Sequence, residues 1–282
     1  MNRYFSLIKF SHTVFALPFA FIGFFLATAE RADGVDWKLF ALVLACMVFA
    51  RSAAMAFNRW ADRAFDGINP RTAVREIPSG AISPHRALAF VGLNALGFVV
   101  ATWFINPLCF ALSPVALAVV LGYSYTKRFT ALCHLVLGVG LALAPIGAYL
   151  AVTGHFAPLP LVFSALVFTW VSGFDIIYAL QDDDFDRSQG LRSIPVLLGR
   201  KGALHLSEAL HFLSALCIAY AGWQGEFGGF YWSGAAAFVA LLFYQHLLVK
   251  PDDLSRVNLA FFTANGVGSV VFGGFVLVDL FF

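Results

Sequence analysis

The chain has 282 residues, of which 60% are hydrophobic and 12% charged, with 18 Lys and Arg set against 16 Asp and Glu. No soluble domain of this length needs so much apolar surface to fill its core, so composition excludes the ordinary globular classes and predicts an integral membrane protein. A net charge of +2, with no compact basic domain, gives no footing for a nucleic-acid partner.

In chain order, apolar stretches long enough to cross a hydrocarbon core of roughly 30 Å run over 12–29, 37–58, 87–105, 108–126, 132–152, 158–181, 203–223, 231–249 and 258–280. They predict an all-α, polytopic fold of nine transmembrane helices around a central cavity, in one domain covering 1–282. The seventh stretch is the weakest, because it carries His205, Glu208 and His211. In the first, Ala27-Thr28-Ala29 behind the basic Arg3 and Lys9 resembles a signal-peptidase site. Its apolar run is longer than a usual signal core and contains Pro18, so it reads as the first crossing helix.

The basic residues set the orientation. With the N-terminus in the cytoplasm, inner loops and helix ends hold Arg3, Lys9, Arg51, Arg59, Arg63, Arg71, Arg75, Arg86, Lys127, Arg128, Arg187, Arg192, Arg200, Lys201, Lys250 and Arg256, leaving Arg31 and Lys38 outside. That bias predicts an odd number of crossings and an outer C-terminus. The long loops, 59–86 and 182–202, then share the cytoplasmic face, and long ordered loops are usually functional.

Each long loop opens on an aspartate pair, Asp62 with Asp66 and Asp182 with Asp186. A spacing of four puts both carboxylates on one side of a helix about 6 Å apart, a geometry suited to holding hard divalent cations against phosphate oxygens. Asn58 extends the first pair into a polar stripe, and Arg71 and Arg75 supply cations that can neutralise a polyanion. The bland alternative is a solvated helix end with ordinary pairing of Arg59 or Arg63 to the aspartates. In the second loop Asp175, Tyr178 and Asp182 share a helical face, and Asp175 lies within an apolar span, where a carboxylate costs roughly 2.5–3.5 kcal/mol. Such a residue is expected to line a cavity, or more plainly to bond a neighbouring helix. Asp183 and Asp184 point off the stripe and read as solvated charges. The loops also echo each other in Arg75-Glu76-Ile77-Pro78 and Arg192-Ser193-Ile194-Pro195, as two related halves converging on one site would.

These motifs carry a resemblance. Asn58 through Asp66, followed by Asn69-Pro70-Arg71-Thr72 and Arg75-Glu76-Ile77-Pro78-Ser79-Gly80, resembles the first signature of the UbiA superfamily of intramembrane aromatic prenyltransferases. Asp175-Ile176-Ile177-Tyr178 through Asp182 and Asp186 resembles the second signature. Tyr123-Ser124-Tyr125-Thr126-Lys127-Arg128 is similar to the short basic loop after the fourth helix, and Lys9 through Pro18 to the family's start. The likeness covers essentially the whole chain and is strongest to the 4-hydroxybenzoate polyprenyltransferases, with their relatives that prenylate dihydroxynaphthoate.

The resemblance implies a Mg²⁺-dependent transfer of a polyprenyl group from an allylic polyprenyl diphosphate to a small aromatic acid in quinone biosynthesis, in a bacterial inner membrane. It implies that Asn58, Asp62 and Asp66 hold one Mg²⁺ and Asp182 with Asp186 a second. Arg71, Arg75, Lys127, Arg128 and Tyr123 would bind substrate, and Asp175 and Tyr178 would line the reacting pocket. Arg128 could instead pair with the acceptor's carboxylate. An apolar tunnel, walled from the 32 phenylalanines, would take the isoprenoid tail. The same chemistry on haem, a chlorophyllide or a glycerol-phosphate lipid is the rival reading, and a transporter is the rival from another class. Cys46, Cys109, Cys133 and Cys217 lack ligand spacing and read as small packing residues. Gly138, Gly140 and Gly147 around Pro145 suggest close helix packing or a kink, and His12 and His134 read as packing residues near the cavity.

Overall fold

The computed structural model describes residues 2–8, 15–29 and 34–282, the side chains of Asn2 and Thr263 apart. Lys9, His12 and Arg31, which entered the sequence reading, lie outside the described residues. Among the described residues the regular structure is helical, apart from one isolated bridge between Lys250 and Asp253. In order come α1 (Asn2–Leu7), α2 (Leu17–Ala29), α3 (Trp37–Ala61), α4 (Arg63–Ile68), α5 (Pro84–Trp103), α6 (Pro107–Thr126), α7 (Cys133–Thr153) and α8 (Pro158–Ala179). A 3₁₀ turn, Leu180–Asp182, leads into α9 (Asp183–Ser188), then α10 (Ile194–Gln224) and α11 (Gly229–Leu248). The last helix, α12, is Val257–Phe281.

Among the described residues seven helices, counting α8 with its continuation through α9 as one, are long and apolar enough to cross a membrane. Of the two other expected spans, the first is the 13-residue apolar helix α2. The eighth is α11, whose 20 residues are diluted by Tyr231, Tyr244, Gln245 and His246.

The helix starts follow local chemistry. Ser83 caps α5 by accepting the Arg86 amide, and Pro84, lacking an N–H to satisfy, takes the first helical position. That start signal places α5 three residues earlier than hydropathy alone does. Asp36 caps α3 in the same way through Lys38 and Leu39. Asn106 accepts from Cys109 at 2.8 Å to begin α6, and its amide donates to Leu150 O at 2.8 Å, tying that end to α7. Inside α10, Gly199 (φ 70°, ψ 170°) breaks the helix, a backbone conformation available to glycine at little cost.

The largest buried aromatic residues gather on one side of the bundle. Phe19, Phe163, Trp170, Phe238 and Phe272 are fully or almost fully buried where α2, α8, α11 and α12 meet. The Trp170 indole donates to Asn265 Oδ1 at 2.9 Å, and Asn265 in turn donates to the carbonyls of Ala260 and Phe261, beside the π-helical turn Ala260–Ala264 in α12. On the other side, α3 packs against α5, and α6 against α7.

Small residues set the closest approaches, as they do where lipid supplies no hydrophobic drive between helices. A Cβ on Gly138 would lie 2.8 Å from Phe168 O of α8, and one on Gly23 of α2 would lie 2.0 Å from Pro145 O of α7. Gly147 has nothing within 4 Å, so the expected packing role belongs to Gly138 rather than to every glycine of α7. Gly23→Ala is therefore expected to cost about 1–3 kcal/mol by forcing backbone apart, while Gly147→Ala stays near wild type. Thermal unfolding of the two purified variants in the same detergent checks this.

Candidate active site

Helix α3 ends at Ala61, and Asp62 serves both as its last cap and as the first of α4, with φ −89° and ψ 3°. The i→i+4 backbone bonds survive the break: Asp62 N–H donates to Asn58 O at 2.9 Å and Asp66 N–H to Asp62 O at 2.8 Å. The Asn58–Asp62–Asp66 stripe is thus held in near-helical register although the helix is interrupted. The second stripe departs further from expectation. α8 stops at Ala179 and Asp182 closes a 3₁₀ turn, so Asp175 and Asp182 do not share one continuous α-helix, and Asp186 sits on the separate α9.

Burying these carboxylates requires cations, and each comes from another part of the chain. The Asn58 amide donates to Asp62 Oδ2 at 3.3 Å, and Lys127 Nζ, from the loop after α6, lies 2.8 Å from the same oxygen. Arg75 donates to Asp66 Oδ1 at 2.7 Å, and the Thr72 hydroxyl caps the Asp66 carbonyl at 3.1 Å. Arg71 grips Asp182 with two nitrogens, Nε at 3.0 Å and Nη2, and its Nη1 donates to the Tyr178 hydroxyl at 3.3 Å. Burial alone would depress the Arg71 guanidinium, but Asp182 and then Tyr178 hold it above its ordinary value. Lys127 and Asp182 are among the charges that act on half-buried Asp186, so Lys127 acts electrostatically on both pairs. Arg128 donates to Ala61 O at 2.7 Å, lies 3.7 Å from Asp62 Oδ1 and stacks over Tyr125 at 4.7 Å.

The sequence reading missed Asn69. Its amide donates to Asp182 Oδ1 at 3.2 Å while its own carbonyl oxygen accepts the Arg71 N–H at 3.0 Å. The Asn-Pro-Arg order was the available signal, since an asparagine that bonds the backbone two residues on makes a turn that presents the following side chain. It also missed Arg192, whose N–H donates to Lys127 O at 2.7 Å and whose Nη1 donates to Phe129 O at 2.8 Å, pinning the loop after α9 to the loop after α6.

Two further expectations change. Asp183 is buried, with Arg200 clamping it at 2.7 and 2.9 Å, and is no solvated charge; Asp184 is exposed, as read. Asp175 bonds a neighbouring helix, its Oδ2 lying 2.7 Å from His134 Nδ1 at the start of α7. His134 Nε2 accepts the Ile194 N–H at 3.3 Å, which places the imidazole proton on Nδ1, toward Asp175.

Among the described residues, no three His, Cys, Asp or Glu side chains gather closely enough to hold a metal by themselves. Yet Asp62 Oδ1 and Asp66 Oδ2 are buried without a hydrogen bond. Unbonded buried carboxylate oxygens fit a hard cation whose remaining positions are filled by another oxygen ligand. At Asp182 both oxygens already accept hydrogen bonds, Oδ1 from Asn69 and Arg71 and Oδ2 from Arg71.

Deeper along α3, a cavity of about 370 Å³ opens between α3, α5, α6 and α7. Its wall is aliphatic and small, including Val43, Ala54, Val120 and Ala144, with Arg51 and Tyr123 among its polar members. Phe98 and Phe156 are the phenylalanines among the described residues that line it. Among the described residues, this cavity is thus walled mainly by small aliphatic side chains.

The profile of the UbiA prenyltransferase family matches residues 16–266. The 4-hydroxybenzoate octaprenyltransferase of Aeromonas hydrophila subsp. hydrophila is 34% identical over 250 residues, 87% of this chain and 86% of its own length. The apo structure of a UbiA homolog from Aeropyrum pernix K1 superposes with a TM-score of 0.86 at 34% identity, covering 95% of this chain and 98% of that one. A UbiA homolog from Archaeoglobus fulgidus, solved with DMAPP and Mg²⁺, has the same fold, with a TM-score of 0.78 at 19% identity over 99% of both chains.

The Arg71–Asp182 clamp joins loops 111 residues apart but is partly exposed, so its worth is discounted for screening. Arg71→Ala is expected to lower stability by about 1 kcal/mol and to open residues 69–83 to protease, and Arg71→Lys, which lacks the two-pronged grip, should not restore protection. Limited proteolysis followed by mass mapping reads both effects.

Proposed function

The chain belongs to the UbiA prenyltransferase family, and from that premise we propose that it transfers a polyprenyl group from an allylic polyprenyl diphosphate to a small aromatic acid of the 4-hydroxybenzoate or dihydroxynaphthoate kind. Pyrophosphate is the second product. The observation that carries this reading is the convergence on two aspartate pairs of the loops after α4, α6 and α9, with Lys127 paired to Asp62, Arg71 to Asp182, and two buried carboxylate oxygens left without hydrogen bonds. The likeness to octaprenyltransferases that act on 4-hydroxybenzoate supports the acceptor class.

Asn58, Asp62 and Asp66 would hold one Mg²⁺, and Asp182 with Asp186 a second. Magnesium bound there supplies the charge that stabilises the departing pyrophosphate. Arg71 gives up Asp182 as the diphosphate arrives and pairs with phosphate oxygen instead, exchanging one anion for another. Lys127, Arg128 and Arg75 surround the same oxygens and stabilise the negative charge that grows as the allylic C–O bond breaks. The acceptor ring attacks the allylic cation beside its hydroxyl group, and loss of the ring proton restores aromaticity. Asp175, positioned by His134, and Tyr178 line the pocket where this occurs. The aliphatic cavity takes the isoprenoid tail, out of water and open to lipid. Nine crossings, with the N-terminus and these loops on the cytoplasmic face of a bacterial inner membrane, agree with the distribution of basic residues.

Purified protein is expected to release pyrophosphate when given a prenyl diphosphate together with an aromatic acid, to stop in excess chelator, and to resume with Mg²⁺ or Mn²⁺. Unimpaired turnover in chelator would sink the metal assignment. Asp182→Asn should lower turnover by roughly 10²–10³-fold, the scale for losing one electrostatic stabiliser. Asp183→Asn should instead lower thermal stability, because it frees Arg200, while turnover per folded molecule persists. A reversal of the two outcomes would remove Asp182 from the site.

A further inference from the structure

We propose that the end of α10 farthest from the aspartate loops binds the ammonium headgroup of an ethanolamine phospholipid. The site stands apart from the reaction proposed above. From Ala203 to Gln224 the helix rises about 30 Å, one hydrocarbon thickness, so this end lies at the opposite membrane face from the aspartates. An open pocket there is lined by Gly222, Trp223, Gln224, Glu226, Phe227 and Trp232.

Two glycines seat its rings. A Cβ on Gly222 would lie 2.7 Å from Cζ2 of Trp232, and one on Gly225 would lie 2.4 Å from Cε2 of Phe227. Phe227 stacks on Tyr231 with ring centres 4.4 Å apart, and the Tyr231 hydroxyl donates to Ile218 O at 2.7 Å. Asp279 of α12 holds the turn, accepting the Gly228 N–H at 2.7 Å and the Tyr231 N–H at 3.1 Å. The pocket is therefore fixed before a ligand arrives, which lowers the cost of binding. Trp223 and Trp232 remain 73% and 44% exposed.

Glu226 gives the pocket its charge. α10 closes with Phe227 N–H donating to Gly222 O at 3.1 Å and Glu226 N–H to Trp223 O at 3.3 Å, a turn whose left-handed position glycine usually fills. That position is Glu226, at φ 52° the only non-glycine residue with positive φ among the described residues. A carboxylate here also faces the negative end of the helix dipole. None of the ion pairs among the described residues includes it. Backbone and charge both disfavour glutamate, and strain that persists in this way marks binding sites. An unpaired carboxylate beside accessible indole rings suits an ammonium ion.

Gln224 distinguishes between kinds of ammonium. Its Oε1 is buried without a hydrogen bond, and a primary ammonium brings three N–H donors where a quaternary one brings none. A lipid fits better than a free amine, because exposed Phe212, Leu216 and Tyr220 run down α10 from Trp223 at helical spacing and offer a track for an acyl chain.

The test titrates the full-length protein in detergent with palmitoyl-oleoyl phosphatidylethanolamine, phosphatidylcholine and phosphatidylglycerol, and counts bound lipid by native mass spectrometry. The wild type should retain the ethanolamine lipid about 5- to 10-fold better than the other two. Glu226→Gln should erase that preference, and Trp232→Ala should weaken it. Equal retention of the three lipids, as an ordinary interfacial tryptophan belt would give, or a preference that Glu226→Gln leaves intact, overturns the proposal. Glu226→Gly supplies a second reading. Relieved of the left-handed glutamate, it should unfold about 2–4 °C higher than wild type without phospholipid, yet lose the stabilisation that the ethanolamine lipid gives the wild type. A Glu226→Gly variant that this lipid stabilises as much as wild type overturns the proposal. Millimolar free ethanolamine should leave the lipid bound; full displacement assigns the pocket to a soluble amine and overturns the lipid assignment.

Discussion

A carboxylate buried at the end of a membrane helix must find a cation, and in this chain the cation comes either from further along the same loop or from a different one. Lys127 serves Asp62, Arg75 serves Asp66, Arg71 serves Asp182 and Arg200 serves Asp183. Because the first and third of these pairs cross between loops, satisfying the charges also draws the loops into one cluster. The arrangement of the helix ends, the shelter of the site and the concentration of positive charge around it are consequences of that one requirement.

The cluster is organised unevenly. At the first pair two oxygens remain without hydrogen bonds, whereas Asp182 is held by Arg71 and Asn69 together. The first pair thus keeps oxygens free of hydrogen bonds, while the second is bonded by side chains that come from the first loop. The uneven state follows from loop geometry: Asn69 and Arg71 form a tight turn that reaches across to Asp182, and nothing on α9 reaches back in the same way.

Much of the architecture was legible in the sequence because it depends on short-range rules. Apolar runs placed most of the helices to within a few residues; α10, which starts at Ile194 and not near 203, is the exception, and capped starts such as Ser83-Pro84 and Ser193-Ile194-Pro195 explain the earlier beginnings. The site residues were legible as types and spacings. Their partners were not, since Arg71 and Asp182, or Lys127 and Asp62, meet only through the tertiary fold. Helical periodicity was extended too far at Asp182, where a 3₁₀ turn ends α8, and at Asp183, which counted as solvated although Arg200 neutralises it. The phenylalanines illustrate a different limit. Composition supplied their number, but whether a ring lines a cavity or packs a core depends on which helix it faces, and here most of the buried ones pack α2 against α8, α11 and α12.

The long reach of the Arg71–Asp182 clamp also bears on how the protein is made. At synthesis rates of about 5–20 residues per second, Asp182 follows Arg71, 111 residues earlier, by on the order of 5–20 s. Throughout that interval the first loop has its own Arg75–Asp66 pair, and later Lys127, but no Asp182. The half-site on α3 and α4 thus exists as a nascent, partly neutralised unit before its counterpart is inserted. The order of the charges along the chain becomes an order of assembly in time, with Arg71 the last of the three cations to find its carboxylate.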